Sequence, residues 1–261
     1  MDKITVVTIC YNAENEIADT MKSVYQQDYQ DIEYIIIDGA SKDNTLSIIQ
    51  DTIQRDCQNV ETKLISEKDK GIYDAMNKGI SLASGEWILF MNAGDMFYNP
   101  KAISASFENG YDKAVKGVYG DTERFYGAYK KLVEAKPLEE LQNSIPLPFC
   151  HQSVFVRTEL MKGHCFDMQY KQAADYHFFM QCFLAHYKFV HVNVIISRYS
   201  MGGISETNTV YHLCEKIRIR ETLGVEHYGF LRKNFMINKL RIKQIIKRLM
   251  PYGVLKKIRG Y

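Results

Sequence analysis

Residues 4–38 read ITVVTICYNAENEIADTMKSVYQQDYQDIEYIIID, and this stretch decides the fold. Its first seven residues, ITVVTIC, form a short β-branched apolar run, the mark of a strand covered on both faces. Ile17, Met21 and Val24 then recur at i, i+4 and i+7, the period of an amphipathic helix. Residues 32–38, IEYIIID, are a second apolar run. Strand, helix and strand in immediate succession predict a right-handed βαβ unit with parallel strands.

Working outward, the alternation continues. Leu46, Ile49 and Ile53 mark a second helix, 60–66 a third strand, and Met76, Ile80 and Ala83 a third helix with Asp74 placed to cap it. Residues 86–91, EWILFM, are a fourth strand. The fold class predicted is α/β, a mostly parallel sheet flanked by helices. Beyond Asn99-Pro100 the pattern loosens. A strand over 114–119 ends in Gly120-Asp121, and 122–148 is polar and reads as less regular. Strands follow at 153–156 and 190–196, with a helix at 174–185 between them. From Thr207 the pattern is helical. A soft boundary near 206 divides an α/β domain, 1–206, from a helical extension, 207–261.

The chain has 261 residues, of which 46% are hydrophobic and 25% charged, enough to bury a sizeable core without disulfide or metal. The six cysteines are scattered with no CxxC, which reads as reduced thiols. No run of about eighteen apolar residues is present, so no conventional transmembrane helix is expected. MDKITVVTIC runs straight into a strand, so no signal peptide is expected either. Charge is uneven. From His227 onward there are ten Lys or Arg and no Asp or Glu, against 23 basic and 31 acidic residues before it, so +10 faces −8. A basic tail on an acidic body points to a local anionic partner.

In open α/β sheets, ligands sit beyond the carboxyl ends of the strands. Acids and amides gather at those ends here: Tyr11-Asn12, Asp38-Gly39, Glu67-Lys68-Asp69-Lys70-Gly71, and Asn92-Ala93-Gly94-Asp95. The segment after strand 1, CYNAENEIA, holds no glycine, which excludes a GxGxxG dinucleotide site, and no GxxxxGK[ST] occurs. A bound nucleoside diphosphate therefore needs another counter-charge, and a carboxylate-held divalent cation is the candidate.

The segments TVVTICYNAENEI, IIIDGASKDNT and EKDKGIYDAMNKGISLASGEWILFMNAGDMF resemble the nucleotide-sugar domain of family 2 glycosyltransferases, which have the GT-A fold. The resemblance is densest over 3–98 and thinner to about 205. It implies an inverting transferase of the hexosyl or N-acetylhexosaminyl class, using a UDP-sugar and Mg²⁺ or Mn²⁺. It assigns Thr8, Tyr11, Asn12, Asp38, Asp69, Gly71, Asp74, Asn77 and Lys78 to the donor side. By the same resemblance Asp38 contacts the base; capping the helix after Ser41 or closing a turn with Gly39 is the plain alternative. Asn92-Ala93-Gly94-Asp95 stands at the acidic metal motif with its upstream acids replaced, leaving Asp95 as metal ligand. Asp175 stands at the position of the general base, although an N-cap is its plain alternative. Asp121 is the rival base or a donor contact. His151 and Gln152 stand on the acceptor side, and Arg198 can offset the diphosphate. Met201-Gly202-Gly203 is a hinge or a turn.

A helical wheel of the tail places Phe235, Ile242, Ile245, Ile246 and Leu249 on one side and Lys239, Lys243 and Lys247 on another, with Met236, Ile237 and Leu240 blurring the division. Such a helix suits an anionic membrane surface, with packing on the acidic body and nucleic-acid binding as weaker options. The resulting expectation is a cytoplasmic enzyme, peripheral on the inner face of the membrane and acting on a lipid-linked glycan acceptor, with no nucleic-acid partner. A sugar nucleotidyltransferase and a non-catalytic nucleotide-sugar module are the other classes weighed. The first lacks its glycine-rich basic loop after strand 1.

Overall fold

A computed structural model describes residues 1–57, 60–126, 129–200 and 209–249. The first half alternates as predicted: β1 (Ile4–Cys10), α1 (Ile17–Tyr25), β2 (Ile32–Asp38), α2 (Thr45–Asp56), β3 (Glu61–Ser66), α3 (Ile72–Leu82) and β4 (Trp87–Phe90). Then come β5 (Asp95–Phe97), α4 (Ala102–Ser106), β6 (Val115–Tyr126) and β7 (Tyr129–Val133). After 3-10 turns at Leu138–Gln142 and His151–Ser153 come β8 (Val154–Arg157), α5 (Thr158–Gly163), α6 (Ala174–Leu184) and β9 (Lys188–Ser200). Two helices, α7 (Thr209–Thr222) and α8 (Phe230–Leu249), end the described chain.

The strands form one sheet in the order β3-β2-β1-β4-β8-β6-β9-β5, with β7 beside β6. β1 to β4 are parallel. The register aligns Cys10 with Asp38 and Asp38 with Ser66, so three strands end level. Beyond β4 the sheet is mixed: β8 runs antiparallel to β4 and β6, while β9 is parallel to β6. The region read as irregular is in part a hairpin, because β6 continues to Tyr126 and pairs with β7. Its sequence hides it. Lys130 and Lys131 on an outer strand protect the exposed edge, so no buried alternation marks the strand.

The unbroken apolar runs of β1 and β2 follow from cover on both faces. Ile4, Val6, Tyr34 and Ile36 pack beneath α1 and α2 with Ile17, Met21, Ile49 and Trp87. Val7, Ile9, Ile35 and Ile37 face α3 and α6 with Met76, Ile80, Tyr176 and Phe178. Gly79 lets α3 touch the sheet, since a Cβ there would lie 2.5 Å from Val7 Cγ1. One acid sits inside this core. Glu33 is 0% exposed and accepts from Lys63 Nζ, Thr5 Oγ1 and the Ser84 N–H, each at 2.7 Å. Burial opposes its ionisation, but these donors prevail and bring it down to about 2.

The boundary expected near 206 falls outside the described residues, as does the Gly202-Gly203 hinge. α7, beyond it, packs into the body. Ile219 joins the α3 and α6 side of the core, and Arg220 is 1% exposed. Arg220 donates to the carbonyls of Leu141 and Gln142, at 2.6 and 2.9 Å. α8 has two apolar faces, which separates residues that the wheel mixed. Met236, Ile237, Leu240 and Gln244 are half-buried, and Gln244 bonds Thr209 of α7. Leu231, Phe235, Ile242 and Ile245 are 82, 68, 56 and 56% exposed. Among the described residues no helix is long and apolar enough to cross a membrane.

Candidate active site

The loops after β1 and β2 are locked together. Asn12, at φ 50°, donates its N–H to Ser41 Oγ at 2.8 Å and accepts the Lys42 N–H on Oδ1 at 2.8 Å. The Ala13 N–H reaches Thr45 Oγ1, and Glu14 accepts the Asn44 N–H. Asp38 is 0% exposed. Its oxygens accept from the Ser41 N–H and hydroxyl and from the Ser66 hydroxyl at 2.6 Å. The turn-closing role weighed for Asp38 is therefore present, and its carboxylate is occupied by the protein itself.

Gly39, next to Asp38, has little room for a side chain. A Cβ at Gly39 would lie 2.5 Å from Asp69 Oδ2 and 3.4 Å from Tyr11 Cδ2. The carboxylate of Asp69, whose Oδ1 accepts the Gly71 N–H, thus fills the space beside β2. Tyr11 stays 57% exposed at the same edge.

Other donor-side assignments divide. Thr8 is a correction: it is 0% exposed, donates to the Met91 carbonyl at 2.6 Å and bonds the Tyr34 hydroxyl. It lies in the core, away from any ligand surface. Asp74 is not the N-cap of α3. Gly71 takes that position, and Asp74 reaches back from the first turn to accept the Lys70 N–H. Asn77 is occupied on both atoms, bonding the Phe166 N–H and carbonyl at 2.9 Å each. Lys78 pairs with Glu67 at 2.8 Å.

The second cluster is assembled from four distant segments. Asp175, in the first turn of α6, accepts from the Tyr73 hydroxyl at 2.9 Å and has His151 Nδ1 3.6 Å from its other oxygen. The N-cap of α6 is Ala173, so capping is not what holds Asp175. The Asn92 amide faces His151 Nε2 from 3.4 Å, and Nδ1 faces Asp175. Burial lowers the His151 pKa, partly offset by Asp175, so the ring stays neutral near pH 7. Tyr73 is pushed well above its ordinary range by burial and by the Asp175 charge, and remains a donor. Beside this triad, Gln152 donates to Asp95 Oδ2 at 3.2 Å. Burial raises the Asp95 carboxyl to about 7.

Two expected members lie elsewhere. Asp121 accepts the Ala135 N–H at 2.8 Å and has His191 Nε2 at 3.4 Å, which ties β6 to the chain after β7. Arg198 lies by Met96 and lines a separate cavity of about 380 Å³ with Lys22, Gln26, Glu123 and Lys130. Neither Asp95 nor Asp175 lines that cavity.

The sequence matches the description "Glycosyl transferase family 2" over residues 5–170. The chain belongs to this family. It is 29% identical over 219 residues to a PGL/p-HBAD biosynthesis glycosyltransferase of Mycobacterium bovis, covering 78% of this chain and 80% of that one. Its fold is similar to S. aureus TarS in complex with UDP-GlcNAc, with TM-score 0.67 and 18% identity over 90% of this chain and 70% of that one. It is also similar to the mannosyltransferase PcManGT of Pyrobaculum calidifontis in complex with GDP-Man and Mn²⁺, with TM-score 0.68 and 15% identity over 91% and 68%. The chain is thus a glycosyltransferase with the GT-A fold, as its sequence implied.

Within this family 2 enzyme, the Asp175 cluster has the parts for proton removal: a carboxylate bonded by the Tyr73 hydroxyl and faced by His151, in reach of solvent through a 15% exposed side chain. Among the described residues no three His, Cys, Asp or Glu side chains gather as a ready-made metal site. The donor set nonetheless suits a hard cation. Among the described residues Asn92 Oδ1 is buried without a partner, and Asp95 adds a carboxylate nearby, so these two oxygens would be completed by phosphate and water if a cation bound. Sequence reading missed Tyr73, because a tyrosine on an amphipathic helix reads as core. It also missed α7 as a neighbour of Asp175, since that contact depends on helix docking.

Proposed function

We propose that this glycosyltransferase moves a sugar with inversion from a UDP-sugar to a lipid-linked acceptor for a surface glycan. The observation that carries the reading is Asp175, bonded by Tyr73, faced by His151 and left free of helix capping. Asp175 takes the proton of the acceptor hydroxyl as that oxygen attacks the anomeric carbon. Tyr73 and the neutral His151 keep the carboxylate aimed. Tyr11 offers an exposed ring to the base, beside Asp69. Asn92 and Asp95 would hold Mg²⁺ or Mn²⁺, which supplies Lewis-acid charge to the departing diphosphate. The UDP-GlcNAc bound to TarS and the Mn²⁺ bound to PcManGT support donor and metal class by likeness of fold.

The bare apolar face of α8, flanked by Lys239, Arg241 and Lys243, supports docking on the anionic cytoplasmic face of a membrane, where a lipid-linked acceptor resides. Thermal denaturation with UDP tests the donor site, since a ligand bound only by the native state raises stability. UDP is expected to raise Tm with Mn²⁺ present and not in EDTA. Equal stabilisation in EDTA removes the metal role, and no stabilisation by any nucleoside diphosphate removes the donor class.

A further inference from the structure

α7 lies beyond the residues matched by the family and grips the helix that carries Asp175. Glu215 accepts the Lys171 and Gln172 N–H groups, at 2.7 and 2.8 Å, just ahead of α6. Arg220 donates to the Tyr176 hydroxyl at 3.3 Å as well as to its carbonyls. His212, Lys216 and Arg220 stand four residues apart, so they form one column along α7. Arg220 is engaged by oxygens through both terminal nitrogens. The other two are not.

Lys216 Nζ lies 5.0 Å from the centre of the Tyr176 ring, one residue from Asp175. Neither Lys216 nor His212 makes a hydrogen bond or ion pair among the described residues, although both are half-buried. Burial lowers the pKa of Lys216, and the Asp175 charge opposes that shift. Burial and the Lys216 charge bring His212 down to about 4, against Asp175 and Glu215, so its ring is neutral near pH 7. An ammonium partly removed from water, with no counter-ion of its own, is unfavourable unless an anion arrives.

We propose that Lys216 and His212 form an anion subsite beside Asp175, and that it takes a phosphate group of a substrate. The ammonium supplies charge and the imidazole N–H a hydrogen bond. The phosphate comes either from the diphosphate of the donor or from a lipid diphosphate on the acceptor. The inference rests on Asp175 marking the reacting centre.

Two measurements on the full chain with Mn²⁺ test it. Inorganic pyrophosphate is expected to protect Lys216 of the wild type from acetylation, read by mass spectrometry. In calorimetry, Lys216→Met is expected to weaken pyrophosphate about tenfold or more, the usual effect of losing a hydrogen bond to a charged group, while Lys216→Arg retains binding. The two sources separate with further probes. A loss for UDP but not uridine assigns the donor diphosphate. A loss for geranyl diphosphate but not geraniol, with UDP unchanged, assigns the acceptor. No protection of wild-type Lys216, or equal pyrophosphate affinity in Lys216→Met, overturns the subsite. Protection by pyrophosphate with no wild-type affinity for UDP supports the subsite and removes the UDP donor reading instead.

Discussion

The loops after β1, β2 and β3 and the cluster around Asp175 are both rich in acids and amides, but they are wired differently. In the loops almost every polar group is matched within the protein. Asp38 is taken by Ser41 and Ser66, Asn12 by Ser41 and Lys42, and Glu14 by Asn44. In the cluster, Asn92 Oδ1 is buried with no partner among the described residues, and the Asp95 carboxylate accepts from the Gln152 side chain. Asp175 keeps room for a further hydrogen bond beside Tyr73. Buried polar groups are ordinarily satisfied, so matched groups hold a shape, while the unmatched Asn92 oxygen is open to a ligand or a water. The loops form a rigid platform. On the proposed reading, the chemistry belongs to the cluster.

Four substitutions can break or sharpen that contrast. The largest effect is expected at Asp175→Asn, which should lower transfer about 10²- to 10⁴-fold with UDP affinity unchanged. Asp121→Asn should keep near-normal transfer, because Asp121 serves Ala135 and His191. The opposite pair of results moves the base to β6. Next comes Asp38→Ala, which leaves the donors of Ser41 and Ser66 unmatched and should lower unfolding free energy by about 1–3 kcal/mol in urea titrations. Unchanged stability with lost UDP affinity would make Asp38 a ligand contact and the platform less self-contained. Gly39→Asp should lower stability by about 1–3 kcal/mol through its clash with Asp69.

Asp95 gives the contrast a pH dependence. Its folded pKa of about 7 lies above the model-peptide value, so the folded state prefers the neutral acid. Its favourable share of stability is complete below about pH 4 and is lost as pH rises through 7. In EDTA, Asp95→Asn should therefore gain Tm relative to wild type between pH 4 and 7 and hold that gain above. A pH-independent difference would remove the burial argument. The smallest effects are expected on α8, where Lys239→Gln or Lys243→Gln should each weaken binding to anionic vesicles by about 1 kcal/mol. Salt-independent binding would remove the electrostatic part.

Much of the platform was legible because local periodicity encodes it. The 3.6-residue spacing of Ile17, Met21 and Val24 and the runs ending at Cys10 and Asp38 gave β1, α1 and β2 within a residue. The hairpin of β6 and β7 was hidden by its charged outer strand, which buries too little to alternate. Thr8 was misplaced because its strand is covered on both faces, so its position near a strand end gave it no exposure. The cluster was legible as separate residues, Asn92, Asp95, His151 and Asp175, through likeness to a family. Its wiring through Tyr73 and the approach of Lys216 depend on how α3, α6 and α7 dock, which no local spacing carries.

The central claim is that one base, Asp175, drives a single displacement at the anomeric carbon. Proton NMR of the sugar first released from an α-linked UDP-sugar, recorded before mutarotation, tests it most directly. The β-anomer from the wild type, with release suppressed in Asp175→Asn, is the expected result. The α-anomer, or unchanged release by Asp175→Asn, would contradict it.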